Sequence, residues 1–183
     1  MNILFCNPSA QLGGAEKVLL SLVGKLRQDR PSWSLSAVLG EDGVLKERLR
    51  SLGVNVTVIP FSYAVARLGD SSFRRQQNPW QFGVRFLGLF LVIPGCFYYW
   101  RKLRGHIDRV SPDIVYTNGF KMHVLGLFAA GGRPVAAHCH DRVSSRPVMA
   151  KFFRIFGGRF KRIMAVSDFI REDIVRLCGQ GVQ

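Results

Sequence analysis

The sequence predicts an α/β domain: an open, mostly parallel sheet with helices on both faces. Three observations lead there. Short apolar runs alternate with helix-length segments along most of the 183 residues, as in chained β-α-β units. The chain opens on an apolar run, a glycine pair and an apolar-periodic helix. The positions just after the runs are small or polar, where ligands sit in such sheets, outside the carboxyl ends of the strands.

Taken in order, Ile3-Leu4-Phe5-Cys6 is short enough for a buried strand, and Asn7-Pro8-Ser9 breaks it. Gln11-Leu12-Gly13-Gly14-Ala15-Glu16 then leads into a helix expected to carry Val18, Leu22 and Leu26 on one face. Strand, glycine turn and helix aim unpartnered backbone N–H groups at an anion, and paired glycines let a phosphate approach the backbone. The spacing fits neither G-x-G-x-x-G nor a P-loop, which removes the common dinucleotide and nucleotide fingerprints. A dinucleotide oxidoreductase fits poorly on that ground.

Leu35–Leu39 reads as a second strand, Val44–Leu52 as a short helix and Val54–Ile59 as a third strand. Asp113–Thr117, Pro134–His138 and Arg162–Val166 make the fourth, fifth and sixth, and a helix over Asp168–Leu177 follows. The strand ends then bring Asn7 with Gly13-Gly14, Asn118-Gly119, His140-Asp141 and Ser167 to one crevice.

Length bounds this to one domain with ample chain for a core. A hydrophobic fraction of 48% with 21% charged residues excludes disorder. The formal net charge of +14 points to partners rather than fold: nucleic acid, an anionic membrane surface or phosphorylated substrates. Nucleic-acid binding fits poorly, because it calls for aromatic and basic residues interleaved on one sheet face, and here they fall on helix-like segments. Cys6, Cys96, Cys139 and Cys178 are scattered and read as free buried thiols in a reducing compartment. No basic region precedes the first apolar run, so it does not read as a signal peptide, and the cytoplasm is the expected compartment.

Two basic regions stand out. Ser62–Gly105 holds Arg67, Arg74, Arg75 and Arg85, then the stretch Phe86–Trp100, then Arg101, Lys102 and Arg104. That stretch is shorter than the roughly 20 apolar residues a spanning helix needs and contains Pro94. Two readings stay open for it. One is a long core helix kinked at Pro94; the other is an interfacial element with Phe97, Tyr98, Tyr99 and Trp100 at headgroup level. Between Asp141 and Asp168 lie Arg142, Arg146, Lys151, Arg154, Arg159, Lys161 and Arg162 with no acidic residue. Val148, Phe152, Ile155 and Phe156 are expected to share a helical face there, with Lys151 and Arg154 elsewhere.

His138-Cys139-His140-Asp141 is the densest polar cluster. Adjacent strand residues point to opposite faces, which argues against both a metal site and a Cys-His nucleophile. Two readings remain: a satisfied structural histidine, or His140 at a strand's carboxyl end, hydrogen-bonding a sugar hydroxyl or a charge forming nearby.

Four segments resemble glycosyltransferase family 4, the retaining group 1 enzymes of GT-B fold. They are Gly13-Gly14-Ala15-Glu16-Lys17, Ser111–Asn118, Pro134–Asp141 and Ala165–Glu172, in the family's order. The resemblance implies a single Rossmann-like N-terminal domain over residues 1–183, one half of a GT-B fold. It implies a hexosyltransferase-type enzyme that moves a sugar from a nucleotide-sugar to a lipid-linked or polysaccharide acceptor, with no metal and no cofactor. By position, His140 is catalytic, Gly13 and Gly14 contact the donor diphosphate, and Asn118, Asp141 and Ser167 line the cleft. Glu16, Lys17, Arg142 and Arg146 lie on the acceptor side. The family's second, nucleotide-holding domain with its Glu-x7-Glu motif is not among these residues. A C-terminal domain or partner subunit is therefore expected, and the chain alone is expected to be inactive. Peripheral contact with an anionic membrane suits both basic regions; no nucleic-acid partner is expected. The alternative is a non-catalytic module of the same fold that recruits a partner to anionic membrane.

Overall fold

The computed structural model describes residues 1–67 and 81–179, with side chains from 92 onward in the second segment. Arg74, Arg75 and the rest of residues 68–80 lie outside the described residues. So does the side chain of Arg85.

All six expected strands form: β1 Asn2–Asn7, β2 Ser34–Leu39, β3 Asn55–Val58, β4 Ile114–Asn118, β5 Val135–Cys139 and β6 Arg162–Ala165. They make one sheet in the order β3-β2-β1-β4-β5-β6, and every pairing is parallel. The helices are α1 Gly14–Asp29, α2 Val44–Ser51, α3 Tyr63–Ala66, α4 Gln81–Val110, α5 Phe120–Ala129, α6 Pro147–Phe156 and α7 Asp168–Cys178.

Two cores sit on the two faces of the sheet. Leu19 and Val23 of α1 and Leu45 and Leu49 of α2 pack with Ile3, Phe5, Ala37, Leu39 and Tyr116. Helices α4 to α7 cover the other face, over Leu4, Cys6, Val38, Val115, Ala137 and Cys139. The chain therefore changes faces between its first and second halves. Helix α1 leaves β1 toward one face and α5 leaves β4 toward the other. Neighbouring strands whose connections diverge in this way leave a crevice at their carboxyl ends.

The structure corrects three expectations. Val18 is exposed, and the buried residues of α1 are Leu19, Val23 and Glu16. Leu19, Leu20, Leu22, Val23 and Leu26 form so wide an apolar arc that only docking on the sheet picks its centre. In α6 the core side is Phe152 and Phe153, whereas Val148 is 76% and Ile155 60% exposed. Helix α4 runs on through Pro94. Its Tyr99, expected at headgroup level in the interfacial reading, is buried and stacks on Phe61 at 4.2 Å, and Trp100 packs against the same core. The core-helix reading thus holds for Tyr99, Leu103 and Ile107, while Ile93, Phe97 and Tyr98 remain exposed.

Candidate active site

The crevice between β1 and β4 is closed at its base by a chain of hydrogen bonds. Asn118 at the end of β4 donates through Nδ2 to Oδ1 of Asn7 at the end of β1, 2.7 Å away. Asn7 donates in turn to the Ser9 carbonyl at 2.6 Å and to Oε1 of Glu16 at 3.1 Å. The second Glu16 oxygen accepts from the Gly13 N–H at 3.1 Å. Asn7, Asn118 and Glu16 are all buried, where an unbonded polar group is costly, so each bond holds the next. Gly119 follows Asn118 at φ +76°, and a Cβ there would stand 2.9 Å from Pro8. Glycine therefore lets the β4 turn lie against the β1 turn.

Glu16 has a different place from the one the sequence suggested. It caps its own helix at the third position, a favourable place for a carboxylate in the dipole field of the first turn. The Gly13 N–H, expected to meet a donor diphosphate, is already bonded to it. The Gly14 and Ala15 N–H groups have no acceptor among the described residues, and nothing lies within 4 Å of where a Gly14 Cβ would be. The open donors of the turn are thus one residue further along. Lys17 is exposed on the next position of the helix.

Across the crevice, His138 of β5 and His140 just beyond its end lie on one side, with their rings in contact, and Cys139 turns to the other face. The two imidazole centroids are 4.3 Å apart. Tyr116 Oη and His138 Nδ1 share a short hydrogen bond. His140 Nε2 is buried without a hydrogen-bond partner among the described residues, and so is Asn118 Oδ1. Burial lowers the His140 pKa below its ordinary value, although the Asp141 and Glu16 carboxylates pull it up. Burial, with His140 beside it, lowers His138 to about 4. Both rings are neutral at neutral pH. The two unsatisfied polar atoms, and the Gly14 and Ala15 N–H groups that the Glu16 cap leaves open, are groups a hydroxyl- and phosphate-bearing ligand can satisfy.

On the opposite face Thr117 Oγ1 donates to the Ala136 carbonyl at 3.2 Å and so must accept from His123 Nδ1, at 2.9 Å. His123 Nε2 then faces the Cys139 thiol at 3.8 Å. Burial lowers His123 to about 3 and pushes Cys139 up to about 12. This cluster is structural: fully buried, uncharged and turned away from the crevice.

The loop after β5 is fixed from below. Asp173 of α7, which nothing in the sequence marks, accepts the Ser144 N–H at 2.9 Å and Arg142 Nε at 3.4 Å. Arg142 also lies over the Phe169 ring at 5.4 Å. Arg146 reaches Asp141 at 3.6 Å and stands over Phe120 at 4.8 Å. Ser167 uses its hydroxyl as the cap of α7, accepting from Ile170 N–H. Glu16 and Asn118 are thus joined through Asn7 beside Gly14, His140 follows β5 with Asp141, Arg142 and Arg146 in the loop after it, Ser167 caps α7, and Lys17 stands exposed on α1. Tyr116 and His138 are the further members; the i, i+2 spacing of His138 and His140 was their only signal.

A doubly wound parallel sheet of this order, with its polar crevice at the switch between β1 and β4, is a Rossmann-like unit and matches one half of the GT-B fold. The sequence profile of Glycosyltransferase Family 4 matches residues 44–181, and the chain belongs to that family. Solved structures share the fold. Anabaena Alr3699/HepE in complex with UDP-glucose is 21% identical with a TM-score of 0.66, over 98% of this chain and 41% of that one. The lipopolysaccharide outer core galactosyltransferase WaaB, in its apo form, is 14% identical with a TM-score of 0.63, over 97% and 43%. A glycosyltransferase from Rickettsia africae ESF-5 is 15% identical with a TM-score of 0.60, over 95% and 38%. The chain spans about two fifths of the length of these structures. No curated protein matches it by sequence. Among the described residues, no helix is long and apolar enough to cross a membrane.

Proposed function

We propose that this chain is the acceptor-side domain of a retaining, hexosyltransferase-type glycosyltransferase acting on a lipid-linked or polysaccharide acceptor at a membrane surface. The observation that carries the reading is the crevice itself. Two buried polar atoms at neighbouring strand ends, Asn118 Oδ1 and His140 Nε2, have no hydrogen-bond partner among the described residues, and the Gly14 and Ala15 N–H groups at the start of α1 have no acceptor there. The donor is a nucleotide-sugar, the ligand class with which HepE was solved. No metal and no cofactor take part.

In this mechanism the diphosphate leaves on the face at which the acceptor attacks. Its growing charge is met by the Gly14 and Ala15 amides and by cations of a second, nucleotide-holding domain, so the first domain alone does not transfer sugar. Neutral His140 hydrogen-bonds the transferred sugar near its anomeric centre. Arg142 and Arg146 flank the acceptor path.

Membrane contact is supported by surface chemistry. Val148 and Ile155 stand out from α6 beside Lys151 and Arg154. An apolar groove of about 440 Å³ runs between α4 and α5 past Phe97, Trp100 and Phe128. Apolar side chains rimmed by cations suit an anionic lipid interface.

The test is His140→Ala in the protein assayed together with its nucleotide-binding domain. Turnover should fall at least about 100-fold, the size of a lost general or electrostatic catalyst, with the melting temperature unchanged. Unchanged turnover removes His140 from the chemistry. Absence of transfer by the unaltered protein, together with loss of vesicle binding in basic-face variants, would favour the non-catalytic recruiting module.

A further inference from the structure

Away from the crevice, the flank of the sheet holds a groove of about 640 Å³, within the range of small-molecule sites. It exists because β3 is the sheet's edge and α4 turns Tyr99, Leu103 and Ile107 toward the core under β1 and β2. The space between β3 and the outer side of α4 is left open. Val58, Ile59 and Pro60 give it an apolar floor, and Tyr98 an aromatic end.

Its wall has one sign of charge. Arg101, Lys102 and Arg109 all line it. The only carboxylate of α4, Asp108, is engaged elsewhere, with Arg104 at 2.7 Å and Arg133 at 2.9 Å. Arg101 and Arg109 form no ion pair with a described residue, and Lys102 lies over the Tyr98 ring at 5.3 Å. Arg101, Gly105 and Arg109 are spaced i, i+4, i+8, so they share one face, each arginine one turn (about 6 Å) from the glycine. Glycine inside a helix costs about 1 kcal/mol against alanine, and a Cβ on Gly105 would meet nothing within 4 Å. The glycine opens a bare spot between two guanidinium groups. His106 adjoins it, with a buried Nε2 that has no partner among the described residues.

We propose that this groove binds a soluble organic phosphate. The phosphate sits over Gly105 between Arg101 and Arg109, beside His106, and the organic part lies on Val58, Pro60 and Tyr98. The site is separate from the crevice and independent of the glycosyltransferase reading. Cations beside an edge strand can also serve merely to keep it from pairing with other chains, and that role predicts no ligand.

Phenyl phosphate and inorganic phosphate are the probes, titrated into the full chain and followed by amide NMR. Phenyl phosphate should shift the resonances of residues 57–60 and 98–109 and bind about tenfold more tightly than inorganic phosphate, a gain of about 1.4 kcal/mol from the apolar wall. Arg101→Gln with Arg109→Gln should weaken it at least tenfold. Gly105→Leu, which keeps every charge and favours the helix, should do the same by filling the spot. Lys151→Gln with Arg154→Gln removes equal charge elsewhere and should leave it unchanged. Equal affinity for the two probes, equal loss in the control pair, or shifts confined to Asn118 and His140 overturns the proposal. So does binding only to phosphatidylglycerol vesicles, which would assign the cations to a lipid surface.

Discussion

The crevice at β1 and β4 and the outer face of α6 handle polarity in opposite ways. In the crevice Asn7, Asn118 and Glu16 are buried and bonded to one another at 2.7 to 3.1 Å, and His140 is held neutral. On α6, Lys151 and Arg154 are exposed and surrounded by water and salt. Buried groups act singly, because removing one strands its partner without solvent. Exposed charges act by their sum and are screened within about 10 Å at 0.1 M salt. The +14 net charge, the loudest feature of the composition, therefore says little about the crevice, whose properties rest on a few desolvated groups.

Acid is the strongest way to test the buried side. His123 titrates near 3 when folded, against about 6.5 when unfolded. Well above pH 6.5 both states are neutral and the residue adds no slope. Between pH 6.5 and 4.5 the unfolded chain takes up a proton that the folded one refuses, so stability falls as pH falls. His123 alone contributes up to about 1.4 kcal/mol per pH unit, and His138, with a folded pKa of about 4 and partly solvated, adds a smaller share. Urea denaturation at pH 6.5, 5.5 and 4.5 measures this. His123→Gln should flatten the dependence; an unchanged slope would mean that the ring is not kept neutral by burial.

Asn7→Ala comes next in size. It removes the acceptor of Asn118 Nδ2 and a donor to Glu16, leaving two buried groups short of a bond. A loss of about 2–4 kcal/mol follows from one to two unsatisfied buried partners, read from the urea midpoint. A loss below about 0.5 kcal/mol would show that water replaces the asparagine and that the crevice is wetter than its burial implies.

Much of this architecture was legible in the sequence, and the reason is local. A parallel strand is an apolar run whose residues all have somewhere to go, so Ile3–Cys6, Leu35–Leu39 and Asp113–Thr117 declare themselves without knowledge of their neighbours. The strand ends declare themselves in the same way, and Asn118 does end β4 while His140 follows β5. What stayed hidden depends on partners far away in sequence. Glu16 reads as a free acidic residue on a helix until Asn7 and Gly13 are found on its two oxygens. Asp173 reads as one more charge on α7 until the Ser144 N–H is found against it. The inner faces of α1 and α6 differ from the expected ones for a related reason: each helix has apolar residues over most of its circumference, so hydrophobic periodicity alone cannot say which stripe the sheet will choose.

The exposed stripe on α6 supplies the smallest effect and the sharpest contrast with Asn7. Lys151→Gln with Arg154→Gln removes two cations from a surface where neither makes a hydrogen bond or ion pair with a described residue. Folding stability should change by less than about 0.5 kcal/mol, as for surface substitutions generally. Attraction to an anionic bilayer is worth about 1 kcal/mol per basic residue near the surface, so the pair should weaken sedimentation with phosphatidylglycerol vesicles by roughly 30-fold at low salt. The difference should shrink as salt rises. Val148→Ser with Ile155→Ser should weaken the same binding without that salt dependence, because it removes apolar contact rather than charge. If both pairs leave vesicle binding unchanged, the cations of α6 are only a solvated face; its exposed valine and isoleucine then await a different partner.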